Sequence, residues 1–313
     1  MTVAGAVPAG ELGMTLMHEH VLIDLTREIR HGGILNDIPI SIRELSAFRA
    51  WGGRTIVDLT ARGMGGDPRA LRRISQHTGL HIVLGAGFYR HQYFDASFMD
   101  RTSTADLADQ ITRDLLDGID DTGVRAGIIG EIGCDEWLTA QEERLFRAAA
   151  RAHLRTGATI STHAARWPVG TQQLDLLEEE GVPPSRVIVG HSDSVRSVHW
   201  DHERDIQAYH LALAQRGAYV EFDNIRELPD RQLDRCAAFV KNLVSHGYGH
   251  QVLLSHDVCT QAHLRANGGG GYTLIFERFA AHLARHGIDT DQLREILVDN
   301  ARSALTGEPS RVS

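Results

Sequence analysis

Lysine is almost absent from this chain: Lys241 is the only one in 313 residues, and arginine carries the rest of the positive charge. Cysteine is scarce as well. Cys134, Cys236 and Cys259 are an odd number in a long chain, which fits a reducing compartment better than a disulfide framework and predicts three free thiols. No apolar run reaches the roughly eighteen residues of a membrane span, and the opening MTVAGAVPAGELG lacks the basic and apolar regions of a signal peptide. The expectation is a cytoplasmic chain with no membrane partner. A basic excess is missing too: 41 acidic against 32 basic residues give a net charge of −9, which argues against a nucleic-acid partner. No GxGxxG or GxxxxGK[ST] follows the first apolar run, so a dinucleotide or P-loop fold is disfavoured. The glycines Gly268–Gly271 come late, lack the Lys and Ser/Thr of a phosphate loop, and are expected to form a flexible loop near the site.

What the chain does have is a regular alternation. Short β-branched or Leu-rich runs read as buried strands at Leu16–Ile23, Thr55–Leu59, His81–Gly85, Ala126–Ile132, Ala158–His163, Val187–His191, Ala218–Phe222 and Gln251–His256. Between them lie amphipathic stretches. In Thr139–Thr156, for example, Leu145, Ala148, Ala149, Ala152 and His153 alternate with Glu142, Glu143, Arg147 and Arg151 at helical spacing. Eight β-α units without a linker predict an α/β fold, a (β/α)8 TIM barrel spanning 1–313 as one domain.

Five of the runs end in residues of metal-ligand type: His18 and His20 in TLMHEHVLID, Glu131 in AGIIGEIG, His163 in ATISTHA, His191 in VIVGHSD and Asp257 in VLLSHD. Barrel enzymes build their sites at the carboxyl ends of the strands, which is where these residues fall. His18 and His20 are two apart on a strand, project to one side and can chelate one ion. Taken singly, a strand-end histidine bonds backbone and a lone aspartate caps a helix. Glu131 resists that reading, because a carboxylate buried in a barrel strand needs a cation or a shifted pKa. The order HxH, Glu, His, His, Asp points to two metal ions. His77, His81, His91, His199, His202 and His210 lack such placement and read as surface or supporting residues, and Cys134 as a structural thiol.

With these ligands in view, the chain resembles the phosphotriesterase family of the amidohydrolase superfamily. The resemblance rests on LGMTLMHEHVLID, GEIGCDEWLTAQEERLFRAAARAHLRTGATISTHA, VIVGHSDS, LLSHD and ILVDNARSAL, in that order over nearly the whole chain. It implies a metal-dependent hydrolase with one ion held by His18, His20 and Asp257, a second by His163 and His191, and a fourth-strand carboxylate between them. In many members that carboxylate is a carboxylated lysine. Here the only lysine is far from the fourth strand, so Glu131 takes the role, which groups the chain with the glutamate-bridged branch of phosphotriesterase homology proteins. The resemblance also implies a homodimer.

The ligand set implies a bridging hydroxide that attacks a carboxylic ester, lactone or amide, with Asp257 and Glu131 as catalytic groups and Asp257 accepting and passing on the proton. Imidazole and carboxylate ligands favour zinc, with manganese, cobalt or iron as alternatives. Candidates to bind a small-molecule substrate lie in the loops after the strands: Tyr89, Arg90, Tyr93, Trp137, Asn224, Arg226, Cys259, His263 and Arg265. Arg90, Arg226 and Arg265 together would favour an anionic substrate. Phosphoester or phosphotriester hydrolysis by the same site, and a metal-binding barrel without turnover, are the competing readings.

Overall fold

The computed structural model describes residues 1–196 and 202–308 and forms a barrel of eight parallel strands with helices between them. The strands are β1 (Thr15–Glu19), β2 (Thr55–Asp58), β3 (His81–Ala86), β4 (Ile128–Gly133), β5 (Ile160–His163), β6 (Val187–Gly190), β7 (Tyr219–Phe222) and β8 (Val252–Leu254). Each pairs with the next in chain order. The seam between β8 and β1 closes through Asp257 N–H to His18 O at 3.1 Å and His20 N–H to Val258 O at 3.2 Å. Val57, Val83, Ile128, Ile188, Tyr219 and Leu253, with Met17, plug the bore toward the strands' amino ends. Polar side chains occupy it above.

The helices start and stop on local chemistry. α1 (Ile38–Ala50) and α2 (Pro68–Thr78) open on Asp37 and Asp67, whose carboxylates accept from Ile40 N and Ala70 N. α3 (Thr104–Leu116) and α4 (Ala140–Thr156) open on capping boxes, Ser103 with Asp106 and Thr139 with Glu142. α4 buries Leu145, Phe146, Ala148, Ala149, Ala152 and His153, the face expected from its spacing, and ends at Gly157 in the left-handed region. α5 (Gly170–Glu179), α6 (Glu203–Arg216) and α7 (Asp230–Ser245) follow the same alternation. Lys241 lies in the last turns of α7, half-buried.

Three sequence expectations need correction. The first strand ends at Glu19 and does not run to Ile23, because His20 N–H turns to Val258 and Val21 N–H donates to Asp58 Oδ2 at 2.9 Å. Ile23–Asp24 then pairs antiparallel with Ile34–Leu35. The last strand likewise ends at Leu254, since the amides of His256 and Val258 donate to Glu19. The glycine run after it is a packed corner, not a loose loop: a Cβ on Gly269 would lie 2.3 Å from His263 O, and one on Gly271, at φ +56°, would lie 2.6 Å from Glu44 Oε2. All three cysteines are free. Among the described residues, no helix is long and apolar enough to cross a membrane. His199 lies outside the described residues.

Candidate metal centre

The barrel brings all six candidate ligands to one end of its bore. His18 sits on β1 and His20 just beyond it, Glu131 on β4, and His163 closes β5. His191 and Asp257 follow β6 and β8 in the left-handed region, at φ +56° and +51°. All six are buried.

Their separations fit shared ions. Two atoms each about 2.1 Å from one tetrahedral ion stand about 3.4 Å apart, farther than a hydrogen bond. Glu131 Oε2 is 3.6 Å from His18 Nε2 and 3.3 Å from His191 Nε2, and Oε1 is 3.6 Å from His20 Nε2. Asp257 Oδ1 completes the first group at 3.4 Å from His20 Nε2. His163 turns the other ring nitrogen inward and departs from this spacing, with Nδ1 at hydrogen-bond distance, 3.0 Å, from Glu131 Oε2. Two clusters therefore share Glu131: His18 with His20, and His163 with His191. Both ring nitrogens of His18 are buried without a hydrogen bond of good geometry: Nδ1 faces Asp223 as an ion pair, and Nε2 is left open toward Glu131.

A ring of supporting groups lies behind the ligands, and the sequence reading missed it. Asp223, just past β7, has Oδ2 2.9 Å from His18 Nδ1 and Oδ1 2.8 Å from His191 Nδ1. It thereby directs the Nε2 lone pair of each imidazole into the bore. Thr60 Oγ1 meets His20 Nδ1 at 2.9 Å; Tyr89 OH instead meets the inward-facing Nδ1 of His163 at 3.0 Å, from the cavity side. Glu19, between the paired histidines, accepts from Ser255 Oγ, His256 N and Nδ1 and Val258 N, all at 2.9 Å, and so clamps the turn that presents Asp257. Asp223 ends the run AYVEF in the same way that the ligands end theirs, and that position was its available signal.

The electrostatics call for cations. Burial alone would lower the His191 pKa, but Asp223 and Glu131 raise it to about 10. Burial would raise Glu131, yet the charges of His18 and His163 hold it well below the usual carboxylate range. His163 falls to about 4 through burial and the neighbouring His191. Bound divalent ions meet the same demand with the imidazoles neutral, as ligands must be.

The substrate candidates divide. Tyr89, Asn224, Arg226 and Cys259 line a cavity of about 200 Å³ that also contains His20, Glu131 and Asp257. Arg226 is held there: Nη1 lies 3.4 Å from Asp257 Oδ2 and 3.2 Å from His263 Nε2, and Nη2 donates to Asn224 Oδ1. His263 lines neither cavity and meets the inner one through Arg226 and through Cys259, whose N–H donates to His263 Nδ1 at 3.2 Å. Arg90 and Trp137 line a second cavity of about 630 Å³ next to the first. Arg90 is occupied by Glu28 and Asp135, and Tyr93 OH also meets Glu28. Arg265 borders neither cavity, because the packed glycine corner carries it outward to Thr273 and Glu277, at 2.7 and 2.5 Å.

Known proteins share this architecture. The model of the phosphotriesterase family matches residues 1–305. An N-acetyltaurine hydrolase of Dictyostelium discoideum is 35% identical over 88% of this chain and 75% of its own length. The phosphotriesterase homology protein of Escherichia coli is 33% identical over 92% of this chain and 96% of its own. Among solved structures, a resiniferatoxin-binding protein from Rhodobacter sphaeroides superposes with a TM-score of 0.90 at 36% identity, covering 99% of this chain and 96% of that one.

Proposed function

The chain belongs to the phosphotriesterase family and is a metal-dependent hydrolase of small molecules, and from that premise we propose that it cleaves a carboxylic amide, ester or lactone at a binuclear centre. The observation that carries this reading is Glu131, whose two oxygens stand at shared-ion distances from histidines of both clusters. The Dictyostelium relative is named for cleaving an N-acyl compound, which supports a carbonyl electrophile.

In this reading His18, His20 and Asp257 would hold one ion and His163 and His191 the other, with Glu131 within reach of both groups. Zinc suits imidazole and carboxylate ligands without thiolate. Two bound ions supply Lewis acidity and an activated water. The chain's own residues do the rest. Asp223 and Thr60 fix the imidazole tautomers, and the buried bore excludes bulk water. Asp257 carries the proton to the leaving amine or alkoxide; burial opposes its charge, and Arg226 beside it keeps the carboxylate ionised.

The test combines metal analysis with turnover. Protein prepared with zinc should bind two equivalents and hydrolyse a small N-acetyl amide, ester or lactone, and Asp257→Asn should lose most of that activity. Absence of bound metal, or full occupancy with no turnover on all three bond types, would overturn the reading.

A further inference from the structure

Resting on that reading, we propose that Arg166 selects the substrate by binding an anionic tail, a carboxylate or sulfonate, where the two cavities meet. Only His163, Ala165 and Arg166 border both the inner cavity beside the metal ligands and the larger outer one. Of these three, only Arg166 carries a permanent charge.

The other arginines lining the two cavities are engaged. Arg90 is neutralised by Glu28 and Asp135, and Arg226 faces Asp257. Among the described residues, Arg166 has no ion pair or side-chain hydrogen bond, so its guanidinium is available to a ligand. The acids of the outer cavity do not compete equally for a substrate. Glu28 and Asp135 serve Arg90, and Glu142 accepts from His91 N and Thr139 N at 2.9 Å. Glu136 is unpaired among the described residues, but it borders the outer cavity alone.

The backbone also marks this position. Arg166 stands at φ +69°, a conformation that costs a non-glycine residue energy and that persists where the surroundings fix it. The surroundings do so. Arg166 N–H donates to Ser194 Oγ at 3.1 Å, and Arg196 N–H donates to Arg166 O at 2.6 Å. Ser194 Oγ in turn donates to the carbonyl of His191, at 2.8 Å. The loop carrying the cation is thus tied to the segment that carries a metal ligand. A substrate with its acyl carbon in the inner cavity and an acid a few bonds away would meet Arg166 at the threshold.

The experiment compares N-acetyl-2-aminoethanesulfonate with its neutral counterpart N-acetylethanolamine, on zinc-loaded wild type, Arg166→Met and Arg166→Lys. Both calorimetric affinity and kcat/KM are read. Loss of a charge-assisted contact should reduce the anionic-to-neutral preference at least about tenfold in Arg166→Met, mostly through affinity or KM, with partial retention in Arg166→Lys. Equal losses on both compounds, an unchanged preference, or no binding of the sulfonate by wild type would overturn the role of Arg166. Arg166-dependent binding without hydrolysis of either amide would preserve that role and count against amide cleavage. Turnover of both amides with no dependence on Arg166 would do the reverse.

Discussion

Asp223 stands 2.8 Å from His191, and its second oxygen reaches His18, whose ring centroid lies 4.7 Å from that of His191. One carboxylate thus orients one imidazole from each metal cluster. Asp223→Asn can still accept a hydrogen bond but presents an amide to the second ring, so one of the two tautomers is lost. Zinc affinity should drop about 10- to 100-fold at the site whose imidazole loses its orientation, as competitive chelator titration would show. An unchanged affinity would mean that the imidazoles are oriented by something else.

Glu131→Gln removes the shared charge while keeping shape and volume. Bound zinc should fall from two equivalents to one or fewer, with the far-ultraviolet spectrum preserved. The neutral amide leaves two dications without a common anion between them, so their repulsion is uncompensated. Two retained equivalents would show that the carboxylate does not bridge.

Metal removal should destabilise the fold. Buried Glu131, Asp223 and Asp257 lie close together, and an ion that binds only the folded chain contributes about 2.7 kcal/mol per site at a hundredfold excess over its Kd. Chelator should therefore lower Tm by several degrees, with recovery on adding zinc.

His210 gives an acid-sensitive stability term away from the ligands. Its ring packs between Phe222 and Phe239, at centroid distances of 5.2 and 5.0 Å, and Nε2 bonds Ser192 O at 2.8 Å. Burial lowers its pKa from the ordinary 6.5 to about 4. The unfolded chain then takes the proton first as pH falls, so stability is lost below about pH 6.5, at up to about 1.4 kcal/mol per pH unit until pH approaches 4. Urea unfolding of His210→Asn should be less stable at pH 7 and show a flatter decline between pH 7 and 5 than wild type.

The three thiols should be silent in the folded protein. Burial pushes Cys134 up to about 12 and raises Cys236 and Cys259 well above the ordinary thiol value. A thiol-reactive dye at pH 8 should label none of them in buffer and all three in denaturant.

Much of the barrel and the six candidate ligands could be read from the sequence for one reason: each ligand closes or borders an apolar run, and strand ends are where a barrel concentrates its chemistry. Asp223 obeyed the same rule but was hidden behind a ligand set that already looked complete. The strand ends at Glu19 and Leu254 could not be read, because they are set by a carboxylate that gathers amides from a segment more than 230 residues away. Arg265 looked like a site residue because it follows the last strand, and the chain turns it away. Arg166 carries no pattern in the sequence; its interest comes from two cavities that exist only after folding.

The lone lysine has a practical side. In a β-α unit the helix runs back against its strand, so the last turns of α7, where Lys241 sits, lie toward the closed end of the barrel, opposite the ligands. Coupling through Lys241 would therefore attach this protein to a bead or electrode with its mouth facing the solution.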